Sequence, residues 1–360
     1  MPETERPEVI TLRKYVAYVG TYTHGDDEGI HIYDMDVRNG SMKERKIVPI
    51  HNASYLKQSN NKKYLYSICD EGVEAFRILP DGDLCDLGIA SIRGMRGCYI
   101  STDLQDEYLF VGGHHDGKVT VMKLNGDGSL GQITDNIFHQ GVGSIVDRNF
   151  RPHIDCVTLT PDQKFLCAVD SGLDQIKIYS FYRRTGKIKM IDFVPCALES
   201  APHRMRFSSD GRFAYVICEQ KNAVYVYTYN GNGNCPEFEE IQCISTLKGE
   251  HDDVASAACG MCFRPDGKYM FCSNAGENNV TIFSVDQKTG LLAKVRSLPI
   301  SGDYPKDIIT FPDGKHLICC NHESNEMTFF KVDYEKGLLI VNTRPLDINR
   351  PNSIMVTEIE

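Results

Sequence analysis

The stretch PHIDCVTLTPDQKFLCAVDSGLDQIKIY, residues 152–179, constrains the fold more than any other part of the chain. It reads as a turn, an apolar strand, a PDQ turn, a second strand, an acidic-glycine turn and a third strand. β-Branched and aromatic residues alternate along the strands, and Asp-Gly marks the hairpins. The same plan returns as PHRMRFSSDGRFAYVICEQKNAVYVY at 202–227, ACGMCFRPDGKYMFCSNAGENNVTIF at 258–283 and PKDIITFPDGKHLICCNHESNEMTFF at 305–330. Looser copies begin at Lys14, Asn52 and Gly97.

A repeat of this kind cannot bury its apolar face alone, so the copies must stack. Anchored on Leu65, Leu109, Leu166, Ala214, Met270 and Leu317, the spacing runs from about 44 to about 57 residues. That length fits one four-stranded propeller blade per unit. The chain is therefore expected to be all-β: a seven-bladed β-propeller with four-stranded antiparallel blades. The first unit lacks its leading strand, and the C-terminal IMVTEI can supply it. The ring would then be closed by the N- and C-terminal strands, removing exposed sheet edges. Residues 1–13 read as a flexible lead and 14–360 as a single domain. Inserted loops are expected at 132–151 and 235–256.

Composition narrows the function classes. The net charge of −10 argues against nucleic acid, whose binders carry a basic footprint. No apolar run approaches the ~18 residues of a membrane span. The polar start MPETERPEVITLRKY has no signal-peptide core, so a cytoplasmic protein is expected. Many of the 14 cysteines fall inside strands, where reduced thiols serve as small apolar residues. Cys259 and Cys262 have C-x-x-C spacing, but no second pair follows, and no metal site is expected. The absence of Trp excludes WD repeats.

In a propeller, the turns around the innermost strands converge on a central funnel. Entering the first strand of each unit are Asn52, Gly97, Arg151-Pro152-His153, Pro202-His203-Arg204, Ala258-Cys259 and Pro305-Lys306. After the second strand come Asp70, His114, Asp170, Glu219, Asn274 and Asn321-His322. Burying such groups is costly unless they are paired or wet. They either cap blade ends or form a site.

GTYT at 20–23, NASYL at 52–56, PHIDCVTLTPD from Pro152, FSSDGRFAYVICE ending at Glu219 and RPDGKYMFCSNAG ending at Gly276 together carry a resemblance. From about Tyr15 onward the chain resembles the lactonase family of seven-bladed propellers, which includes bacterial 6-phosphogluconolactonase and fungal carboxymuconate cyclase. The resemblance implies a hydrolase or cyclase acting on a lactone or acidic sugar derivative without metal or cofactor. The family's P-H-x-H keeps His153 but has Asp155 in place of its second histidine. The glutamate after the fifth-unit strand is Glu219. The G-P-R-H arginine and histidine are exchanged at His203 and Arg204. The S-N-R-G arginine is Ala275, and the seventh-unit P-R is Pro305-Lys306, which keeps charge but loses the bidentate fork.

Lactone hydrolysis needs a base for water and a cation or donor for the oxyanion. The resemblance makes His153 and Glu219 the catalytic candidates. Arg151, Asp170, His203, Arg204, Asn274, Lys306 and Asn321 are the substrate-binding candidates. His114, His115 and His322 are additional histidines near the same mouth. The implied activity is cytosolic hydrolysis of a sugar lactone, nominally 6-phosphogluconolactone to 6-phosphogluconate. A propeller that binds a carbohydrate or protein without turnover is the alternative.

Overall fold

The computed structural model describes residues 13–23, 29–143, 151–249 and 255–359. Most of the expected flexible lead lies outside the described residues, as do 144–150 and 250–254; the expected inserted loops are otherwise largely outer strands of their blades, Leu130–Phe138 and Glu237–Ser245. Seven antiparallel sheets form the seven blades, and no described residue is helical. The fourth blade shows the pattern: Ile154–Leu159, Phe165–Asp170, Gln175–Tyr182 and Lys187–Pro195 run from the inside outward. The seventh is built on Pro305–Thr310, and its Glu326–Asp333 strand pairs with both Leu338–Val341 and the short Leu346–Asp347.

Ring closure follows the sequence expectation. The C-terminal strand Pro351–Ile359 pairs antiparallel with Lys14–Thr21, from Lys14↔Ile359 to Thr21↔Pro351. It takes the innermost place in the first blade and packs between the innermost strands of the second and seventh. The first and last described strands are thus fastened to each other in one sheet.

Burial grades outward. Phe165–Asp170, Phe213–Cys218 and His316–Asn321 are buried at every residue, because neighbouring blades cover both faces. Outer strands such as Lys187–Pro195 are largely exposed. Cys69, Cys167, Cys218, Cys272 and Cys319 are completely buried on these second strands, and all 14 cysteines are free. A thiol's small apolar volume suits the close approach of neighbouring blades. In six blades the hairpin after the innermost strand places one residue at positive φ: Gly211, Gly267 and Gly314 in three, Lys62, Asp106 and Gln163 in the others.

The strand feature that matters most for function is a recurring bulge. Register slips at Asp155 between Ile154 and Cys156, at His203 between Pro202 and Arg204, and at Lys306 between Pro305 and Asp307. In the sixth blade it slips between Ala258 and Met261, around Cys259. An extra residue at the same place in four successive innermost strands re-aims the side chain there, and three of the four then face the central cavity.

Candidate active site

The central channel opens into a cavity of about 490 Å³ whose lining includes His114, His153, Asp155, His203, Glu219 and Lys306. Three bulge residues, Asp155, His203 and Lys306, are in that lining. The fourth, Cys259, is buried against Lys306 and Glu219, and its thiol is pushed up mainly by burial.

His153 is held through its ring and through its backbone N–H, which donates to Asp170 Oδ1 at 2.9 Å. Its Nδ1 lies 2.7 Å from the carbonyl oxygen of His114. A carbonyl only accepts, so Nδ1 carries the proton and Nε2 keeps the lone pair. Burial is the main cause of a lowered pKa, with repulsion from His114 and Arg151 adding to it and the His114 bond opposing it. The imidazole is neutral at neutral pH. Its ring stacks on His114 at 4.3 Å with 21° between planes.

His114 is held differently. Its Nδ1 lies 2.7 Å from Asp155 Oδ1, and Ser171 Oγ donates to the other carboxylate oxygen. Burial opposes charge on His114, but Asp155 and Glu219 outweigh it and raise the pKa. Asp155 stays below the usual carboxylate range: burial works against it, and the bonds from His114 and Ser171 win.

On the other side of the ring, burial pushes His203 down to about 4, helped by Lys306 and Arg204 and opposed by Asp155 and Glu219. Its Nδ1 is buried with no hydrogen-bond partner among the described residues. Burial works against the charge of Lys306, but Cys259, Tyr304 and Glu219 together raise its pKa. Its Nζ sits 5.6 Å from the centre of the Tyr304 ring. Arg96 is committed to Asp70 at 2.9 Å and Arg204 to Asp307 at 2.8 Å. Among the described lining residues, Lys306 is the cation with no ion pair.

Arg204 and Asp307 each follow a bulge, and their pair forms the cavity floor. Arg204 lines this cavity, and Asp307 lines a second one of about 650 Å³ at the opposite face. The ion pair therefore stands between the two openings. Tyr55 and Tyr99 pack beside it, with rings 4.4 Å apart.

The expected site residues divide accordingly. His153, His203, Arg204, Glu219 and Lys306 line the cavity, whereas Arg151, Asp170, Asn274 and Asn321 do not. Arg151 is exposed at the rim and acts on His153 through its charge. Asp170 is fully buried: Oδ1 accepts the backbone N–H groups of His153, Gly172 and Leu173 at 2.9–3.1 Å, and Oδ2 lies 2.6 Å from His139 Nδ1. It holds the segment that carries His153. Asn274 donates to the Thr246 carbonyl and to Asn279, and Asn321 donates to Thr328. Both sit inside their blades.

The reason is a one-residue offset. Counting from the anchor residues, Asp170, Cys218, Asn274 and Asn321 are equivalent, and their side chains turn into the blade. Of the next residues, His114, Ser171, Glu219 and His322 line the cavity, since adjacent strand residues face opposite ways, while Ala275 does not. A similar offset separates the two Pro-His pairs. Ile154, not Pro152, is equivalent to Pro202, because each pairs with the last residue of the second strand. His203 therefore matches Asp155, and His153 matches Ala201 and Tyr304. Ser171 was missed on this account. Of the two catalytic candidates, His153 is oriented by the His114 carbonyl, and Glu219 acts on His114, His203 and Lys306.

Comparison with known proteins places this geometry in a family. Residues 16–356 match the family model described as lactonase, seven-bladed β-propeller. A 6-phosphogluconolactonase of Bacillus subtilis is 30% identical over 304 residues, 83% of this chain and 85% of the relative. The structure of a periplasmic gluconolactonase from Pseudomonas aeruginosa superposes with a TM-score of 0.90 at 26% identity, covering 96% of this chain and 100% of the other. A Bacteroides fragilis structure provisionally assigned as a 6-phosphogluconolactonase gives 0.88 at 28% identity, over 99% and 100%. The chain belongs to the lactonase family of seven-bladed β-propellers.

Proposed function

We propose that the protein hydrolyses a sugar lactone in this cavity, with 6-phosphogluconolactone as the nominal substrate and 6-phosphogluconate as product. The observation that carries the reading is the fixed tautomer of His153, whose bond to the His114 carbonyl leaves Nε2 as a base. Its lowered pKa keeps it unprotonated at neutral pH, as water activation requires. Lys306, three blades away around the ring, provides charge for the carbonyl oxygen as it becomes an oxyanion. Glu219 helps keep Lys306 charged. The Arg204–Asp307 floor closes the cavity beneath the substrate.

The name of the Bacillus subtilis relative supports the phosphorylated lactone as first substrate. The fourteen free thiols support a reducing compartment, hence the cytoplasm, and a sugar-lactone substrate would place the reaction in carbohydrate metabolism. The test is turnover of freshly prepared 6-phosphogluconolactone beside gluconolactone, corrected for spontaneous opening. Turnover of the phosphorylated lactone is expected. Turnover of gluconolactone alone would move the substrate to a neutral lactone. No turnover of either would overturn the reading in favour of a binding propeller.

A further inference from the structure

The pair of stacked histidines holds more chemistry than one base uses. We infer that His114 is a second catalytic group, the general acid that protonates the departing ring oxygen, with Asp155 as its positioning residue. The inference rests on the lactonase reading. It starts from hydrogen bonding: a carboxylate can only accept, so His114 Nδ1 donates to Asp155 and the imidazolium form carries its second proton on Nε2. His153 bonds a neutral carbonyl and His114 bonds an anion, although the rings are stacked face to face at 4.3 Å. Two histidines in contact are thus given opposite protonation preferences, which is how an acid and a base are assigned within one site.

The charged surroundings agree. Facing His114 are the carboxylates of Asp155 and Glu219, against Lys306 and the rings of His115 and His153. The acidic pair prevails and raises its pKa. Facing His153 are Arg151 and His114, against Asp155, and its pKa falls. Chain position matters too. His114 comes from the third blade and Asp155 from the bulge of the fourth, so the bulge that removes Asp155 from the strand ladder delivers it to a neighbour's histidine.

The step balances as a hydrolysis. His153 Nε2 takes a proton from water as its oxygen adds to the lactone carbonyl. The tetrahedral intermediate expels the ring oxygen, and the C–O bond breaks as His114 Nε2–H delivers its proton to that oxygen. The hydroxy acid ionises on leaving. His153 returns its proton to solvent, and His114 takes one back.

The experiment compares wild type, His114→Gln and Asp155→Asn on gluconolactone, or on 6-phosphogluconolactone if that is the lactone turned over, and on dihydrocoumarin. The sugar lactone expels an alkoxide that needs a proton; dihydrocoumarin expels a phenolate that hardly does. His114→Gln should lose ~10²- to 10⁴-fold in kcat on the sugar lactone and only about tenfold or less on the aryl lactone. The wild-type rate should fall at alkaline pH as His114 deprotonates. Asp155→Asn should move that limb to lower pH by more than it moves the acid limb of His153, because His114 loses both the hydrogen bond and the charge of Asp155 and His153 loses only the charge. Equal losses on both lactones, or an alkaline limb unmoved by Asp155→Asn, would overturn the inference while the lactonase reading stands. If wild type does not turn over the aryl lactone, the pH profiles alone decide. If it turns over no lactone, both readings fall.

Discussion

Asp170 shows how a residue can matter to the site without entering it. Its carboxylate gathers three backbone N–H groups, His153 among them, and the imidazole of His139, all away from water. Hydrogen bonds to a charged group are worth about 1.5–3 kcal/mol each, and orphaning buried donors adds to the loss. Asp170→Ala should therefore destabilise the protein by about 3 kcal/mol or more. It should also lower activity, because the His153 backbone loses its anchor. Denaturant unfolding and turnover measured together check this; unchanged stability would contradict it. The sequence shows Asp170 as a polar residue ending a core strand, which is how a site residue also looks. Only the side chain's direction separates the two roles. His153, Glu219 and Lys306 were legible through family motifs. Ser171 was not, because a serine after an aspartate carries no chemical signature until Asp155 is seen to reach it.

At the scale of elements, the bulges set the site. Neighbouring Pro-His motifs, identical as text, are two positions apart in structure, because Pro202 pairs with the last residue of its second strand and Pro152 lies two residues ahead of the Ile154 that does so in the fourth blade. A bulge adds a residue without changing strand composition, so binary patterning locates the strand but not the slip. The fold itself was legible because strand alternation, hairpin turns and unit length all agree. The turn after Asp170 offers an element-scale test. A Cβ at Gly172 would lie 1.8 Å from the Arg151 carbonyl oxygen and 2.9 Å from the His153 ring. Backbone must shift to admit it. Gly172→Ala should displace the segment bearing His153 and lower kcat at least about tenfold, since misplacement by about 1 Å can cost 10²-fold. Wild-type kcat in a folded Gly172→Ala variant would show that the close approach is relaxed without consequence.

For the whole molecule, one strand decides whether there is a ring. Pro351–Ile359 pairs along the entire Lys14–Thr21 strand and contacts the innermost strands of both neighbouring blades. Without it, the first blade loses its inner strand and the ring gains open edges. Deleting residues 351–360 should abolish cooperative thermal unfolding, or lower Tm by more than about 10 °C, since a shift of ~2–4 °C per kcal/mol applies to chains somewhat smaller than this. An unchanged melt would mean that closure is not needed. The ring matters to function because His153 and Lys306 stand three blades apart and only closure brings them to one cavity. The most direct test of the account is the opening of fresh sugar lactone at neutral pH by wild type and His153→Ala, corrected for the spontaneous rate. Wild type should catalyse the opening, and the folded variant should lose ~10²- to 10⁴-fold. Equal catalysis by both proteins would contradict it.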